Sequence, residues 1–120
     1  MNESEIFDQR LPKTEILRKR TEFNEVFEKG SIWNGKFMKC LFMESNRRTV
    51  GFVVSRRFGN AVKRNRIKRL MREVYRKNRH FIGAFKIIIM PKDRFVQVPN
   101  EELEKEFNRF IVCSCSGKMC

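Results

Sequence analysis

Apolar residues recur along this chain with two periods, and each change of period marks an element. From Thr21 to Lys29 the spacing places Phe23, Val26 and Phe27 on one side of a short helix, with Thr21 as N-cap, Glu22 and Glu25 in the first turn and Gly30 as the C′ residue. Lys36 to Glu44 and Thr49 to Arg56 are rich in β-formers and flank the polar stretch Ser45-Asn46-Arg47-Arg48, which predicts an antiparallel hairpin. In its second strand Val50, Phe52 and Val54 are expected to face the core, and Gly51, Val53 and Ser55 an open surface. From about Ala61 to Arg79 the apolar positions Ile67, Leu70, Met71, Val74 and Tyr75 follow the i, i+3, i+4, i+7, i+8 pattern of a buried helical stripe. Phe85 to Met90 is a continuous apolar run ended by Pro91, which predicts a strand buried on both faces and parallel to its predecessor across the helix. A last helix, capped by Asn100, carries Leu103, Phe107, Phe110 and Ile111 on one face. The order α-β-β-α-β-α predicts an α+β domain built as a two-layer α/β sandwich.

Composition sharpens this picture in one place. Lys and Arg number 27 against 14 Asp and Glu in 120 residues, a formal net charge of +13. Residues 1 to 46 balance at 8 basic and 8 acidic, and residues 80 to 120 carry 6 and 5. Arg47 to Arg79 holds 13 basic residues and one acid, Glu73, so +12 of the charge lies in 33 residues. Unbroken like charge repels itself, so a polyanion is expected to meet this segment, and nucleic acid is the commonest such partner. An anionic membrane surface is disfavoured, because no bulky apolar face at the edge of the cluster is spare from the core. The longest aliphatic run, Ile87 to Met90, is far short of the roughly 20 apolar residues of a spanning helix. The acidic start Met1-Asn2-Glu3-Ser4-Glu5 leads into no apolar stretch, so a cytoplasmic location with no membrane association is expected.

The four cysteines, Cys40, Cys113, Cys115 and Cys120, are accordingly expected to be reduced, and the last three to lie on a flexible tail; no metal site is expected from them or from His80. A self-contained nuclease would need a carboxylate cluster or a histidine-based acid and base pair. The basic segment offers only Glu73 and His80, and Asp occurs only at Asp8 and Asp93, so no catalytic residue is assigned.

The densest chemistry lies in the helix from Ala61. Stepping ~100° per residue from Ile67, Asn65, Arg69, Arg72 and Arg76 fall within about 60° of one another, opposite the apolar stripe. Arg64, Arg66, Lys68 and Arg79 flank them. Guanidinium groups grip phosphate oxygens bidentately, and Asn65 can also accept a hydrogen bond, as from a sugar hydroxyl. The stretch Ser55-Arg56-Arg57-Phe58-Gly59-Asn60-Ala61-Val62-Lys63-Arg64-Asn65-Arg66-Ile67-Lys68-Arg69-Leu70 resembles the signature of the bacterial ribonuclease P protein component: a basic pair, Gly-Asn-Ala-Val, then an Arg-Asn-Arg box opening a basic helix. The likeness runs from about Leu11 to Ile111.

The resemblance implies a domain over residues 11–112 of the ribosomal-protein-S5-domain-2-like kind, with a left-handed β-α-β crossover, between a flexible extension at 1–10 and a flexible tail at 113–120. It implies an accessory subunit of an endoribonuclease that removes the 5′ leader of precursor tRNA. In that family the chemistry belongs to a catalytic RNA and its Mg2+ ions. The implied partners are ribonuclease P RNA and precursor tRNA, with no obligatory protein partner. Carried over by position, Arg64, Asn65, Arg66, Lys68, Arg69, Arg72 and Arg76 contact the RNA subunit. Phe23, Phe27, Val53, Ser55, Arg56 and Arg57 line a cleft for the single-stranded leader. By gripping the leader and offsetting phosphate repulsion, the protein is expected to favour precursor over product and to strengthen functional magnesium binding. The chain departs from the family at Cys40, aligned where members can carry an aromatic ring; with a one-residue shift, Phe37 or Phe42 supplies that ring instead.

Plainer readings stand beside these. The pair Phe23 and Phe27 is spaced as core pairs usually are, and a mixed role is expected. Trp33 sits in a loop beside Asn34-Gly35. Arg47 and Arg48 are expected to be turn charges, Glu102 and Glu106 an exposed acidic face, and His80 a favourable charge at a helix C-terminus. A structural RNA-binding protein of ribosomal type, without a processing role, is the alternative function. A DNA-binding regulator ranks third, because the stripe is nearly all phosphate-directed.

Overall fold

The computed structural model describes residues 11–115; the expectations for residues 1–10 and 116–120 lie outside them. The elements are α1 (Arg20–Lys29), β1 (Ser31–Asn34), β2 (Met38–Glu44), β3 (Thr49–Phe52), α2 (Ala61–Asn78), β4 (Phe85–Pro91) and α3 (Asn100–Phe110). The predicted α+β class holds, with one strand more than the sequence pattern suggested. Short β1, between Gly30 and Gly35, pairs antiparallel with β2, Trp33 opposite Cys40.

The sheet order is β1-β2-β4-β3. The hairpin predicted between β2 and β3 does not form. β4 lies between them, antiparallel to β2 and parallel to β3. The physical reason is the Ile87-Ile88-Ile89 run, apolar on both faces, which is buried only by taking a central position. As the pattern predicts, β3 and β4 are parallel neighbours joined through α2.

Alternate residues of the strands enter two apolar clusters. On one face Met38, Cys40, Val50, Ile87 and Ile89 pack with Ile67, Met71, Val74 and Tyr75 of α2 and Leu103, Phe107 and Phe110 of α3. On the other face Leu41 and Ile88 meet Leu17 and Val26, with Phe23, Met43, Val53 and Met90 around them. The face of Gly51 and Val53 is therefore partly covered by α1, where an open surface was expected. Lys86 of β4 ties α1 down through Glu25, at 2.7 Å, and its hydrogen bond holds the Glu25 carboxyl below its usual value.

Helix starts differ in detail from the predictions. α1 begins one residue before Thr21, and the Lys19 carbonyl accepts from the Glu22 and Phe23 amides at 3.1 and 3.2 Å, so Thr21 is not the cap. Asn100 is the first residue of α3, with Pro99 before it and no side-chain cap. α2 does have a side-chain cap: Asn60 Oδ1 accepts from the Lys63 amide at 3.0 Å. Gly59 before it has φ of 123°, a conformation that favours glycine. At the far end α3 runs on into a single wide turn, Ile111–Cys115, and Cys113 is disulfide-bonded. The disulfide corrects the expectation that Cys113 is a reduced thiol, and the turn carries the chain past Ile111, which is buried.

Two buried carboxylates fasten these layers. Glu106, expected on an exposed acidic face, is 0% exposed. It accepts from the backbone N–H groups of Lys36, Phe37 and Met38 at 2.7, 2.9 and 2.9 Å, so the turn between β1 and β2 is fixed by α3. Glu15 is held by Arg79 Nη1 at 2.6 Å, Arg48 Nε at 2.9 Å and the Tyr75 hydroxyl. Arg48 also donates to the carbonyls of Arg79 and Ile82, at 2.8 and 3.1 Å. Arg48 and Arg79, which the sequence pattern placed among the surface charges, are thus part of an internal clasp.

Burial, and then the neighbouring Glu15 carboxylate, hold the Tyr75 phenol well above its usual value. A folded-state value above the unfolded one, roughly 10, stabilises the fold below that pH and ceases to do so as pH rises through the folded value. Tyr75 is the only tyrosine. An alkaline titration should show no tyrosinate absorbance at about pH 10 and a cooperative onset that coincides with loss of helical circular dichroism. Half-ionisation near pH 10 with the fold intact would contradict the buried clasp.

Candidate nucleic-acid interface

The outward side of α2 follows from its inward side. With Ile67, Met71, Val74 and Tyr75 turned into the core, Asn65, Arg66, Arg69 and Arg72 are exposed, and Arg64 and Lys68 are half-buried beside them. The side chains of Asn65, Arg66, Lys68, Arg69 and Arg72 have no hydrogen-bond or ion-pair partner among the described residues. Arg64 Nε donates to the Gly59 carbonyl at 3.2 Å. Arg76 is paired with Glu73, whose carboxyl this hydrogen bond holds below the usual carboxylate range. The predicted phosphate-binding set is therefore brought together on one helix face, with Arg76 already engaged.

The predicted cleft set is arranged less uniformly. Phe23 lies against the sheet at Gly51, where a Cβ would come within 2.5 Å of its ring. The missing side chain lets α1 approach and makes Phe23 part of the floor. Phe27, one turn on, is 45% exposed. Val53 is half-buried and donates its N–H to Ile89 at 3.1 Å. Ser55, Arg56 and Arg57 are exposed on the link from β3 to α2; Ser55 Oγ accepts from the Arg57 amide at 3.3 Å, and Arg57 pairs with Asp93 at 2.8 Å.

Cys40 is not part of this cleft. It is 0% exposed on the opposite face of the sheet, and Phe37 and Phe42 also pack against that main core. Among the described residues no ring from β2 reaches the α1 side. Alternation from Leu41 instead turns Lys39 toward α1, paired with Met90 of β4. Ile32 of β1, opposite Leu41, is 56% exposed on the same face. These three positions were not anticipated; the period of two through Leu41 was the signal, once the register is known. Trp33 is packed rather than presented, its ring 5.5 Å from Phe110.

Cleft and stripe lie on elements that flank opposite faces of the sheet and are joined through Ser55 to Asn60. Such an arrangement can hold a folded polyanion along α2 and an extended strand beside α1. Among the described residues no three His, Cys, Asp or Glu side chains gather as a metal site, and no helix is long and apolar enough to cross a membrane.

Residues 11–113 match the ribonuclease P family profile. The chain is 40% identical over 103 residues to the ribonuclease P protein component of Petrotoga mobilis, covering 82% of this chain and 80% of that protein. It is 33% identical over 113 residues to the component from Finegoldia magna, covering 92% and 98%. The solved ribonuclease P protein of Thermotoga maritima superposes with a TM-score of 0.73 at 29% identity, covering 81% of this chain and 94% of that one.

The free stripe has a direct thermodynamic signature. Replacing Arg69 and Arg72 together with Ala should weaken binding to a folded RNA and flatten the dependence of log affinity on log salt by roughly 0.7 to 0.9 per lost phosphate contact. An unchanged slope in filter-binding titrations would remove this face from the interface.

Proposed function

This chain belongs to the ribonuclease P protein family, and on that premise we propose that it binds ribonuclease P RNA through α2, grips the 5′ leader of precursor tRNA beside α1, and leaves bond cleavage to the RNA. The protein is a subunit of ribonuclease P and serves tRNA processing. In the proposed division of labour, Arg64, Asn65, Arg66, Lys68, Arg69 and Arg72 hold the RNA subunit. Arg76 joins them by exchanging Glu73 for a phosphate. Phe27 stacks on a leader base, with Phe23 and Val53 beneath it, while Ser55, Arg56 and Arg57 meet leader phosphates. The setting is the cytoplasm.

The observation that supports this most strongly is the contrast within one basic segment. Arg48 and Arg79 are engaged inside by the single Glu15 carboxylate, whereas Arg66, Lys68, Arg69 and Arg72 face outward with no acidic partner among the described residues. Desolvating such a face is favourable against a matching polyanion, and phosphate accepts the bidentate guanidinium grip. In this reading the Mg2+ ions on which cleavage depends are held by the RNA.

With ribonuclease P RNA bound, the complex should prefer a 5′-extended precursor over mature tRNA. Phe27→Ala should reduce that preference by roughly 1 to 3 kcal/mol, the contribution of one stacked base, and leave affinity for the RNA subunit unchanged. Equal affinity of the wild-type complex for both tRNA forms would favour a general structured-RNA-binding protein instead.

A further inference from the structure

Beside the stripe the start of α2 forms one wall of a cavity of about 420 Å³, lined by Phe58, Lys63, Arg66, Ile67, Leu70 and Val96. Its other walls are the turn Arg56–Phe58 and the turn Asp93–Gln97, which the Arg57 to Asp93 ion pair holds together at 2.8 Å. The residues of α2 that line it follow the i, i+3, i+4, i+7 spacing from Lys63, so they form one continuous side of the helix. Two features set its chemistry. The Phe58 ring, Ile67, Leu70 and Val96 supply an apolar surface, and Val96 is 54% exposed. Lys63 and Arg66 bring positive charge, have no side-chain partner among the described residues, and meet no acid in the lining.

We propose that this cavity receives the base of one unstacked nucleotide of the bound ribonuclease P RNA, with Lys63 and Arg66 on its phosphate. The volume falls in the range of roughly 300 to 1,000 Å³ typical of small-molecule sites. A base within a helix is stacked on both faces and cannot enter; a nucleotide splayed from a loop or bulge presents an apolar π-face beside an anion, the complement of this lining. An apolar peptide would leave both cations unmatched, and a lipid headgroup would leave the apolar lining of Ile67, Leu70 and Val96 uncovered. Arg66 belongs to both the cavity and the stripe, so the pocket gives α2, otherwise phosphate-directed, one point at which it contacts a base. The inference rests on the reading that α2 meets ribonuclease P RNA.

The test uses the full chain bound to ribonuclease P RNA, probed at unpaired bases with dimethyl sulfate and a carbodiimide, which together report all four bases, and titrated at several salt concentrations. Two variants act differently on the cavity: Phe58→Leu removes the ring, and Val96→Trp fills the space from an exposed position that the core does not use. Both should weaken binding roughly tenfold, expose the same single base to modification, and leave the salt slope unchanged, since stacking carries no counterion release. Lys63→Ala should lower the slope instead. If the wild-type complex protects no unpaired base that either variant exposes, the pocket is empty in the complex and the inference is overturned while the α2 interface stands. Failure of the wild-type chain to bind this RNA at all would overturn the underlying reading as well.

Discussion

Glu15 is the residue on which the placement of the other parts depends. Its carboxylate draws in Arg48 from the loop after β2, Arg79 from the turn after α2, and Tyr75 from within that helix. The segment leading into α1 is thereby fastened to the end of α2 through the body of the protein. Removing Glu15 would leave Arg79 in the interior without its carboxylate, a loss of roughly 3 to 5 kcal/mol in comparable buried pairs. The position of α1 over Gly51, and with it the cleft, follows from where Glu15 and Leu17 are anchored.

The same clasp gives the basic segment its meaning. Thirteen cations in one stretch look uniform in the sequence, but the fold sorts them. Arg48 and Arg79 are spent internally, Arg57, Arg76 and Lys77 have carboxylate partners, and Arg47 donates to the Thr14 carbonyl. What remains unneutralised is concentrated on the outer side of α2, including Lys63 and Arg66 at the cavity. In the proposed complex these outward cations meet phosphate, and the apolar positions of α1 and of the cavity are where bases are gripped.

Much of this was legible in the sequence. The 3.6-residue period of α2, the Ile87-Ile88-Ile89 run and the apolar face of α3 identify themselves, because each reports local geometry. The signature from Ser55 to Leu70 carried the family and the outward residues of α2 as a group. Strand order was not legible, since it depends on where the most buried strand finds two neighbours. The roles of Glu15 and Glu106 were also hidden. Their partners lie 60 to 70 residues away for Tyr75, Arg79 and the amides of residues 36 to 38, and backbone N–H groups leave no mark on a sequence. Cys40 shows how little separates the two faces of a strand: a shift of one residue exchanges cleft for core, and only the register decides it.

In the proposed complex the RNA performs the cleavage and this protein contributes grip rather than chemistry. The decisive experiment incubates a 5′-extended precursor tRNA at low magnesium with ribonuclease P RNA alone, with this protein alone, and with both. Efficient cleavage at the mature 5′ end only in the combined reaction is the predicted result. Cleavage by the protein alone, or a combined rate no greater than that of the RNA alone, would contradict the account.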